Sequence, residues 1–217
     1  MLIEASDCGK TKMIDKTKPS GETAGNDTSG LLLTQLTTQR ARDAAELETI
    51  ANAYDKYIFK NQNKVKGADW LTDKFIRQLH KDMFGEIWNW AGKYRTHNVN
   101  IGINWPQITE QVQVLCADFQ FWNSSRLSMS PIEIAARFQN RLTRIHPFNN
   151  GNGRHARLVT DIFFNSIQYP MPKWPQVQLK SEGHKIREQY IAAMKKADHE
   201  DYDDLTKFID DCISYEE

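Results

Sequence analysis

Residues 146–157 read His-Pro-Phe-Asn-Asn-Gly-Asn-Gly-Arg-His-Ala-Arg, and this stretch predicts a helix boundary followed by a polar site. Pro147 ends a helix at the residue before it, because the proline ring disfavours helical backbone there. The turn-rich run 150–153 can direct several backbone N–H groups to one point. Such a group at the start of the next helix binds phosphate.

Two arginines and a histidine frame this run. Arg154 and Arg157 lie three residues apart on the following helix, so they share a face and can both bind phosphate oxygens. His146 can take a proton near neutral pH. An Asn/Gly run or a single histidine is more often structural, but this order and spacing favour a site for chemistry at phosphorus. The spacing of a Walker loop is missing.

The stretch resembles the signature of Fic domains, His-Pro-Phe-x-x-Gly-Asn-Gly-Arg-x-x-Arg. The likeness extends upstream to Leu79-His80-x-x-Met83-Phe84-x-x-Ile87-Trp88-x-Trp90-Ala91-Gly92-x-x-Arg95-Thr96. Residues 30–33 through 37–38 resemble the start of the subgroup called mobile mystery protein B. The resemblance covers about residues 30–200, and the motif is its most specific part.

The resemblance implies a fold and an activity. The fold is an all-α, Fic-like helical domain with a short β-hairpin flap. The activity is that of a protein adenylyltransferase, a nucleotidyltransferase that moves AMP from ATP to a Tyr, Thr or Ser hydroxyl of a target protein. His146 would accept the hydroxyl proton, and Arg157 would bind the γ-phosphate. The nucleotide-binding residues are Asn150, Gly151, Asn152, Gly153, Arg154 and Arg157.

Residues 97–104 interrupt the helical pattern, because apolar and polar side chains alternate there with a period of two. Within a helical chain this predicts a small hairpin. In Fic proteins the corresponding segment resembles a flap that adds a target segment as an extra strand. The expected flap residues are Val99, Asn100, Ile101, Gly102 and Ile103.

Asn150 departs from the Fic pattern, which usually has Asp or Glu there as a ligand of Mg²⁺. Its neutral oxygen can still contact Mg²⁺, mainly together with phosphates and water. Losing the charge weakens that contact by ~1–2 kcal/mol, on the order of tenfold in rate. ATP is the expected substrate, and Mg²⁺ is expected to bind together with its phosphates. We expect only a weak contact between Asn150 and the metal, and therefore reduced activity. The mobile mystery subgroup shares this asparagine, which favours an inherited variant.

The chain also departs from many Fic proteins in its regulation. Those proteins carry an inhibitory helix with the sequence pattern [S/T]-x-x-x-E-[G/N]. Glu182-Gly183 match its end, but Gln178 stands where Ser or Thr is required. We therefore expect no such segment in this chain. By resemblance to toxin–antitoxin Fic pairs, a separate antitoxin would supply the glutamate that blocks Arg157, and this chain would be the toxin.

Helix signals place the other elements. Thr37 or Thr38 caps a helix that runs to about residue 60, and an apolar stripe on it predicts the buried face. Thr72 caps a second helix, and Ser130 starts a third that delivers His146 at its end. The negative end of that helix would favour a protonated histidine. The stripe of the first helix comprises Ala44, Leu47, Ile50, Ala51, Tyr54 and Ile58.

Composition narrows the classes of function. The 217 residues suffice for one domain, expected at 29–217 after a flexible tail at 1–28. Basic and acidic residues balance at 28 each, so nothing predicts broad binding to nucleic acid or a membrane. The chain shows neither a membrane-spanning run nor a signal-peptide core. Three widely spaced cysteines (Cys8, Cys116 and Cys212) indicate a reducing, cytoplasmic setting.

Three other functions remain open at this level. One is a non-catalytic module that binds a nucleotide or a protein through the same loop, which Asn150 favours and the intact His146 and arginines oppose. Another is a Fic-like enzyme that transfers UMP, phosphate or phosphocholine. A metalloenzyme built on His146 and His155 is disfavoured, because no third ligand has suitable spacing.

Overall fold

The computed structural model describes residues 28–60, 69–124 and 129–213, and helices dominate these ranges. The expected all-α fold is confirmed. A π-helix at Asp55–Lys60 continues the first helix, and a 3₁₀ turn at Trp105–Gln107 precedes the third. The α-helices are α1 Gln39–Tyr54, α2 Asp73–Phe84, α3 Ile108–Trp122, α4 Pro131–Ile145, α5 Asn152–Ser166, α6 Gln176–Lys180, α7 Lys185–Ala197 and α8 Asp203–Cys212.

One prediction falls outside the described ranges, namely the tail at 1–28, of which only Thr28 is described. Cys8 also lies outside them, while Cys116 and Cys212 are free thiols. In the described part of the chain, no helix combines the length and the apolar character that a membrane crossing requires.

Three helices begin at the predicted capping residues. The hydroxyl of Thr38 accepts from the backbone N–H of Ala41 at 3.2 Å, and that of Thr72 accepts likewise at the start of α2. Ser130 accepts from Glu133 at 3.2 Å, and Pro131 occupies the first position of α4. Each cap satisfies an N–H group that has no partner inside its helix. These starts are therefore set locally by the sequence.

Helices α4 and α5 form the centre of the fold and pack against each other. Phe138 of α4 and Phe163 of α5 both meet Phe119 of α3 edge to face, with ring centroids 5.6 and 5.1 Å apart. Helix α8 packs on α4, and α1 packs on α2. The motif residues 146–151 form the link between α4 and α5. The packed core thus fixes both ends of that link.

The predicted buried face of α1 is confirmed only in part, because Ile58 is buried and Ile50 and Tyr54 pack against the core. Leu47 is 67% exposed, whereas Arg42, Glu46, Thr49 and Ala53 are buried. Polar contacts explain the difference. Arg42 donates to the Leu36 and Thr37 carbonyls at 3.1 and 3.2 Å, and Thr49 donates to the Met83 carbonyl at 2.7 Å. Hydrogen bonds to these partners offset the desolvation cost of the buried polar groups, so this face of the helix can lie against the core.

The predicted β-hairpin at 97–104 is also wrong, because this segment forms bends and irregular backbone. Gly102 has φ +98°, which is outside the strand region. The carbonyls of His97 and Ile103 accept from the guanidinium of Arg95 instead of pairing with a second strand. Alternating side chains predict a strand only where a second strand can pair with it. In the described ranges the single β-type contact is a bridge between Leu31 and Trp88.

Candidate active site

A cavity of about 950 Å³ lies between α1, α4, α5, α6 and α7. It brings the predicted catalytic and phosphate-binding residues together. Three residues of the predicted flap also reach it, namely Ile101, Gly102 and Ile103, while Val99 and Asn100 do not line it. The predicted site residues on its wall are His146, Asn150, Gly151, Asn152, Gly153, Arg154 and Arg157.

His146 caps the C-terminus of α4 in the left-handed conformation, with φ 52° and ψ 60°. Its side chain is buried, and neither ring nitrogen has a hydrogen-bond partner among the described residues. Burial, and then the positive charge of Arg95, lower its pKa to about 4. The expectation that the helix dipole would favour a protonated ring is therefore wrong, since desolvation outweighs the dipole. At neutral pH the imidazole is uncharged and can accept a proton.

Arg95 holds the backbone around His146, and the sequence reasoning assigned it no role. Its Nε donates to the His146 carbonyl at 2.8 Å, and Nη1 donates to the His97 carbonyl at 2.8 Å. Nη2 donates to the Ile103 carbonyl. Its own N–H donates to the Pro147 carbonyl at 2.9 Å. One guanidinium thus ties the 97–103 loop to the end of α4.

Gly102 lies directly against His146 in this arrangement. A Cβ added at Gly102 would come within 2.6 Å of the His146 Cβ and 3.1 Å of the Ile145 carbonyl oxygen. The positive φ and the close approach both require glycine here. The loop therefore covers one side of His146.

The side chains of Asn150 and Asn152 form hydrogen bonds to the backbone of the motif loop itself. Asn152 Oδ1 accepts from the N–H of Phe148 at 3.0 Å, and its Nδ2 donates to the Phe148 carbonyl at 2.9 Å. Both polar atoms of the Asn152 side chain thus bond within the loop, although the residue lines the cavity. Asn150 Oδ1 accepts from the N–H of Gly151 at 2.7 Å. The Phe148 ring is fully buried.

The N-terminus of α5 opens on the cavity without a side-chain cap. Gly151 precedes it with φ +79°, and a Cβ there would come within 2.6 Å of the Phe84 ring. The first N–H groups of a helix have no partner inside the helix. The first N–H groups of α5 therefore face the cavity at the place where the sequence predicts an anion-binding group.

Arg154 is paired with a carboxylate that the sequence reasoning missed. Its Nη1 contacts Glu46 Oε2, and its guanidinium lies 4.8 Å from the centre of the Phe84 ring. The other oxygen of Glu46 accepts from the indole N–H of Trp88 at 2.7 Å. Glu46 is on α1, 108 positions from Arg154. No local spacing in the sequence signals this contact.

Arg157 lies one turn further along α5 and is buried. Its Nη2 donates to Gln176 Oε1 at 3.2 Å, and its guanidinium lies 6.0 Å from the centre of the Tyr190 ring. Its Nε has no hydrogen-bond partner among the described residues. A buried donor without a partner is costly, so a ligand acceptor would be favourable there.

Asp161 lies four residues after Arg157 on α5 and bonds to Trp174. Its Oδ1 accepts from the indole N–H at 2.7 Å. Burial raises the pKa of Asp161 to about 8, although the Trp174 bond and the charge of Arg157 act in the opposite direction. The carboxyl is thus predominantly protonated at pH 7.

Residues 70–164 match the Fic/DOC family. These residues belong to the Fic/DOC family. The Fic signature among them is the 146–157 stretch that joins α4 to α5, and the upstream resemblance begins on α2.

Known proteins support the family and the fold. Protein adenylyltransferase Fic of Aedes aegypti is 29% identical over 160 residues, which are 72% of this chain and 30% of that protein. The chain thus spans about a third of the length of the curated relatives that it matches. A Fic-domain signalling protein of Bacteroides thetaiotaomicron superposes with a TM-score of 0.64 at 20% identity, over 79% of this chain and 69% of that one.

A second solved structure is the N-terminal Fic domain of a cell filamentation protein, a VirB-translocated Bep effector, from Bartonella quintana with bound ADP. It superposes with a TM-score of 0.57 at 17% identity, over 81% of this chain and 86% of that one. These two likenesses confirm the helical Fic fold.

Metal binding by this Fic domain has little support from its own side chains. Among the described residues, no group of three His, Cys, Asp or Glu side chains is placed to hold a metal ion. The predicted metal contact, Asn150, offers one neutral oxygen that already accepts from Gly151. His155 is fully buried against His80 and Phe148, so it does not join His146. These residues do not form a protein magnesium site, and no catalytic step is assigned to one.

Proposed function

We propose that this Fic domain is a protein adenylyltransferase, which transfers AMP from ATP to a hydroxyl side chain of a target protein. One observation carries the proposal: an uncharged His146 with unpartnered ring nitrogens shares a cavity with Arg154, Arg157 and the open end of α5. The names of the curated relatives support the same reaction. The ADP bound to the Bartonella quintana domain supports a nucleotide as substrate.

The proposed reaction has one chemical step. A ring nitrogen of His146 takes the proton of the target hydroxyl as its oxygen attacks the α-phosphorus of ATP. The new O–P bond forms as the bond from the α-phosphorus to the bridging oxygen breaks, and pyrophosphate leaves. Arg154, Arg157 and the first N–H groups of α5 stabilise the negative charge on the phosphates. Most of the rate gain would come from positioning the target hydroxyl and ATP next to each other.

The pKa of His146 suits this role only in one respect. With a pKa of about 4 the ring is uncharged at neutral pH and always ready to accept a proton. A base of low pKa also draws the proton less strongly, which limits the rate. Slow turnover is therefore part of the proposal.

The loop 99–103 is the proposed docking place for the target. Ile101, Gly102 and Ile103 line the cavity beside His146, and Gly102 touches it. An extended target segment beside this loop would find backbone groups and apolar side chains, a mode that demands little target sequence. The target would therefore dock on this loop, and not on the edge of the β-hairpin that the sequence predicted.

Magnesium enters the proposal only as a companion of the ATP phosphates, because Asn150 offers a weak contact. We place the reaction in the cytoplasm, since Cys116 and Cys212 are free thiols. We also propose that the protein is the toxin of a toxin–antitoxin pair whose antitoxin supplies a glutamate to Arg157. The described ion pairs include one at Arg154 and none at Arg157, which leaves that guanidinium available.

A non-catalytic binding module is the alternative that a specific observation favours. Glu46 neutralises Arg154 inside the cavity, and the net positive charge of the cavity wall is therefore lower. A module that only binds a partner protein has no need for an unpaired arginine at that position. The intact His146 distinguishes the two functions.

Label transfer tests the proposal. The protein is incubated with cell lysate and Mg²⁺, once with ATP labelled at the α-phosphate and once with ATP labelled at the γ-phosphate, beside His146→Ala. Label from the α-phosphate alone, lost in His146→Ala, is expected. Label from the γ-phosphate alone would mean phosphoryl transfer. Nucleotide binding without any transfer would favour the binding module. Transfer from UTP or a choline nucleotide, but not from ATP, would mean that the enzyme uses another donor.

A further inference from the structure

His80 contacts the motif loop from α2, yet it has no place in the chemistry proposed above. Its side chain is fully buried, and it does not line the cavity. It lies 70 positions before Asn150 and is brought to it only by the fold. A buried histidine against a phosphate-binding loop needs a physical reason.

The hydrogen bonds of His80 define its tautomer. The backbone N–H of Gly92 donates to Nδ1 at 3.0 Å, so Nδ1 is the unprotonated acceptor. Nε2 lies 3.0 Å from the Asn150 carbonyl oxygen, which can only accept. The proton must therefore be on Nε2. One neutral ring links the turn at Gly92 to the backbone of the motif loop.

The ring also supports both ends of the loop by packing. It stacks on Phe148 with centroids 3.6 Å apart and an interplanar angle of 16°. A Cβ at Gly151 would come within 3.3 Å of Nε2. His80 thus contacts the loop at 148, 150 and 151, immediately before the first turn of α5.

We propose that His80 is a positioning residue for AMP transfer: its Nε2–H holds the Asn150 carbonyl so that the first N–H groups of α5 face the nucleotide phosphates. The inference rests on the proposed function for its catalytic consequence. The reason for a histidine is that it offers an acceptor and a donor on opposite sides of one rigid ring. Burial, and then the nearby His155, lower the pKa of His80, so the single-proton form persists at neutral pH.

Two substitutions separate the two bonds. In His80→Asn, the amide oxygen can replace Nδ1 and accept from Gly92, but the side chain is too short to reach Asn150. In His80→Gln, the amide nitrogen can replace Nε2 and donate to Asn150. Both variants lose the stack on Phe148, so each is the matched control of the other for packing.

The first measurement is amide hydrogen exchange of residues 149–153 in the three proteins. We expect faster exchange in His80→Asn and near wild-type exchange in His80→Gln. The second is the initial rate of AMP transfer at saturating ATP, with the ATP concentration that gives half the maximal rate. His80→Asn should lose on the order of tenfold to a hundredfold in kcat, and His80→Gln less than about threefold.

Three results would overturn the proposal. One is equal loop exchange in both variants, and another is a greater loss of kcat in His80→Gln than in His80→Asn. The last is an imidazole nitrogen NMR spectrum of the wild type with the proton on Nδ1. If the wild type transfers no AMP, the proposed function fails, while exchange and tautomer still decide the role of His80 in the loop.

Discussion

The carboxylate of Glu46 pairs with the guanidinium of Arg154 and is itself nearly buried, with 7% of its side chain exposed. Its second oxygen accepts from the Trp88 indole, so the carboxylate is held from two sides. The chain therefore neutralises one of its own motif arginines. Inhibition by glutamate was expected from a separate partner and at Arg157, and this internal contact is at a different arginine.

Glu46→Gln should strengthen nucleotide binding. The Gln oxygen can still accept from Trp88, but the charge that competes with phosphate for Arg154 is gone. A gain of about 1 kcal/mol corresponds to roughly fivefold in affinity. Titration with a non-hydrolysable ATP analogue would measure it. Asp43→Asn is the matched control, because Asp43 also lines the cavity but pairs with Lys180. Unchanged or weaker binding in Glu46→Gln would contradict the prediction.

Gly102→Ala should disable transfer with little effect on overall folding. The added Cβ would meet the His146 Cβ at 2.6 Å, at a backbone φ of +98°. A displaced base costs on the order of a hundredfold in rate. The rate of AMP transfer and the midpoint of thermal unfolding should be measured together.

Gly183→Ala is the control for Gly102→Ala, because Gly183 also has positive φ but nothing lies within 4 Å of an added Cβ. It carries similar backbone strain without the contact at His146. Equal loss of activity in the two variants would show that strain alone, and not the displacement of His146, explains the effect.

Asp161→Asn should change the pH dependence of stability. The folded pKa of Asp161 is about 8 against 3.8 for the exposed group, so between these values the folded state holds a proton that the unfolded state releases. The contribution of Asp161 to stability therefore falls as pH rises from about 4 to 8. Asparagine keeps an acceptor for Trp174 and cannot ionise.

Urea unfolding at pH 5 and pH 8.5 would measure the Asp161 effect. The variant should exceed the wild type at pH 8.5 by ~2–4 kcal/mol, and the two should be closer at pH 5. The buried His146 and His155 affect both proteins alike, since their lowered pKa values reduce stability below about pH 6.5. Parallel pH curves for variant and wild type would refute the raised pKa.

Asn150→Asp should increase activity and its dependence on Mg²⁺. A charged oxygen binds the cation more strongly than the neutral amide, by ~1–2 kcal/mol or on the order of tenfold in rate. The aspartate oxygen can also keep the bond from the Gly151 N–H. Transfer rates over a Mg²⁺ titration would measure the gain. An unchanged rate and unchanged Mg²⁺ dependence would mean that residue 150 does not contact the metal.

The parts of this molecule that the sequence predicted are local. Caps at Thr38, Thr72 and Ser130, the end of α4 at Pro147 and the glycine turn before α5 each depend on neighbours along the chain. The phosphate-binding wall of the cavity follows from the same local rules. This is why the motif alone placed the candidate site on the α4–α5 link.

The parts that it missed depend on contacts distant in sequence. Arg95, Glu46 and His80 act through partners 50 to 108 positions away, at Ile145, Arg154 and Asn150. No spacing rule reports such contacts. The predicted hairpin was wrong for the same reason, because alternating apolar and polar side chains indicate a strand but not the second strand with which it must pair. On α1, polar bonds at Arg42 and Thr49 outweighed the apolar stripe.

AMP transfer by His146 with the help of the motif arginines is tested most directly by mass spectrometry of a target protein. The target is analysed after reaction with ATP and the wild type, His146→Ala or Arg157→Ala. We expect one AMP on a Tyr, Thr or Ser hydroxyl with the wild type, none with His146→Ala, and strongly reduced modification with Arg157→Ala. AMP transfer by His146→Ala at the wild-type rate would contradict it.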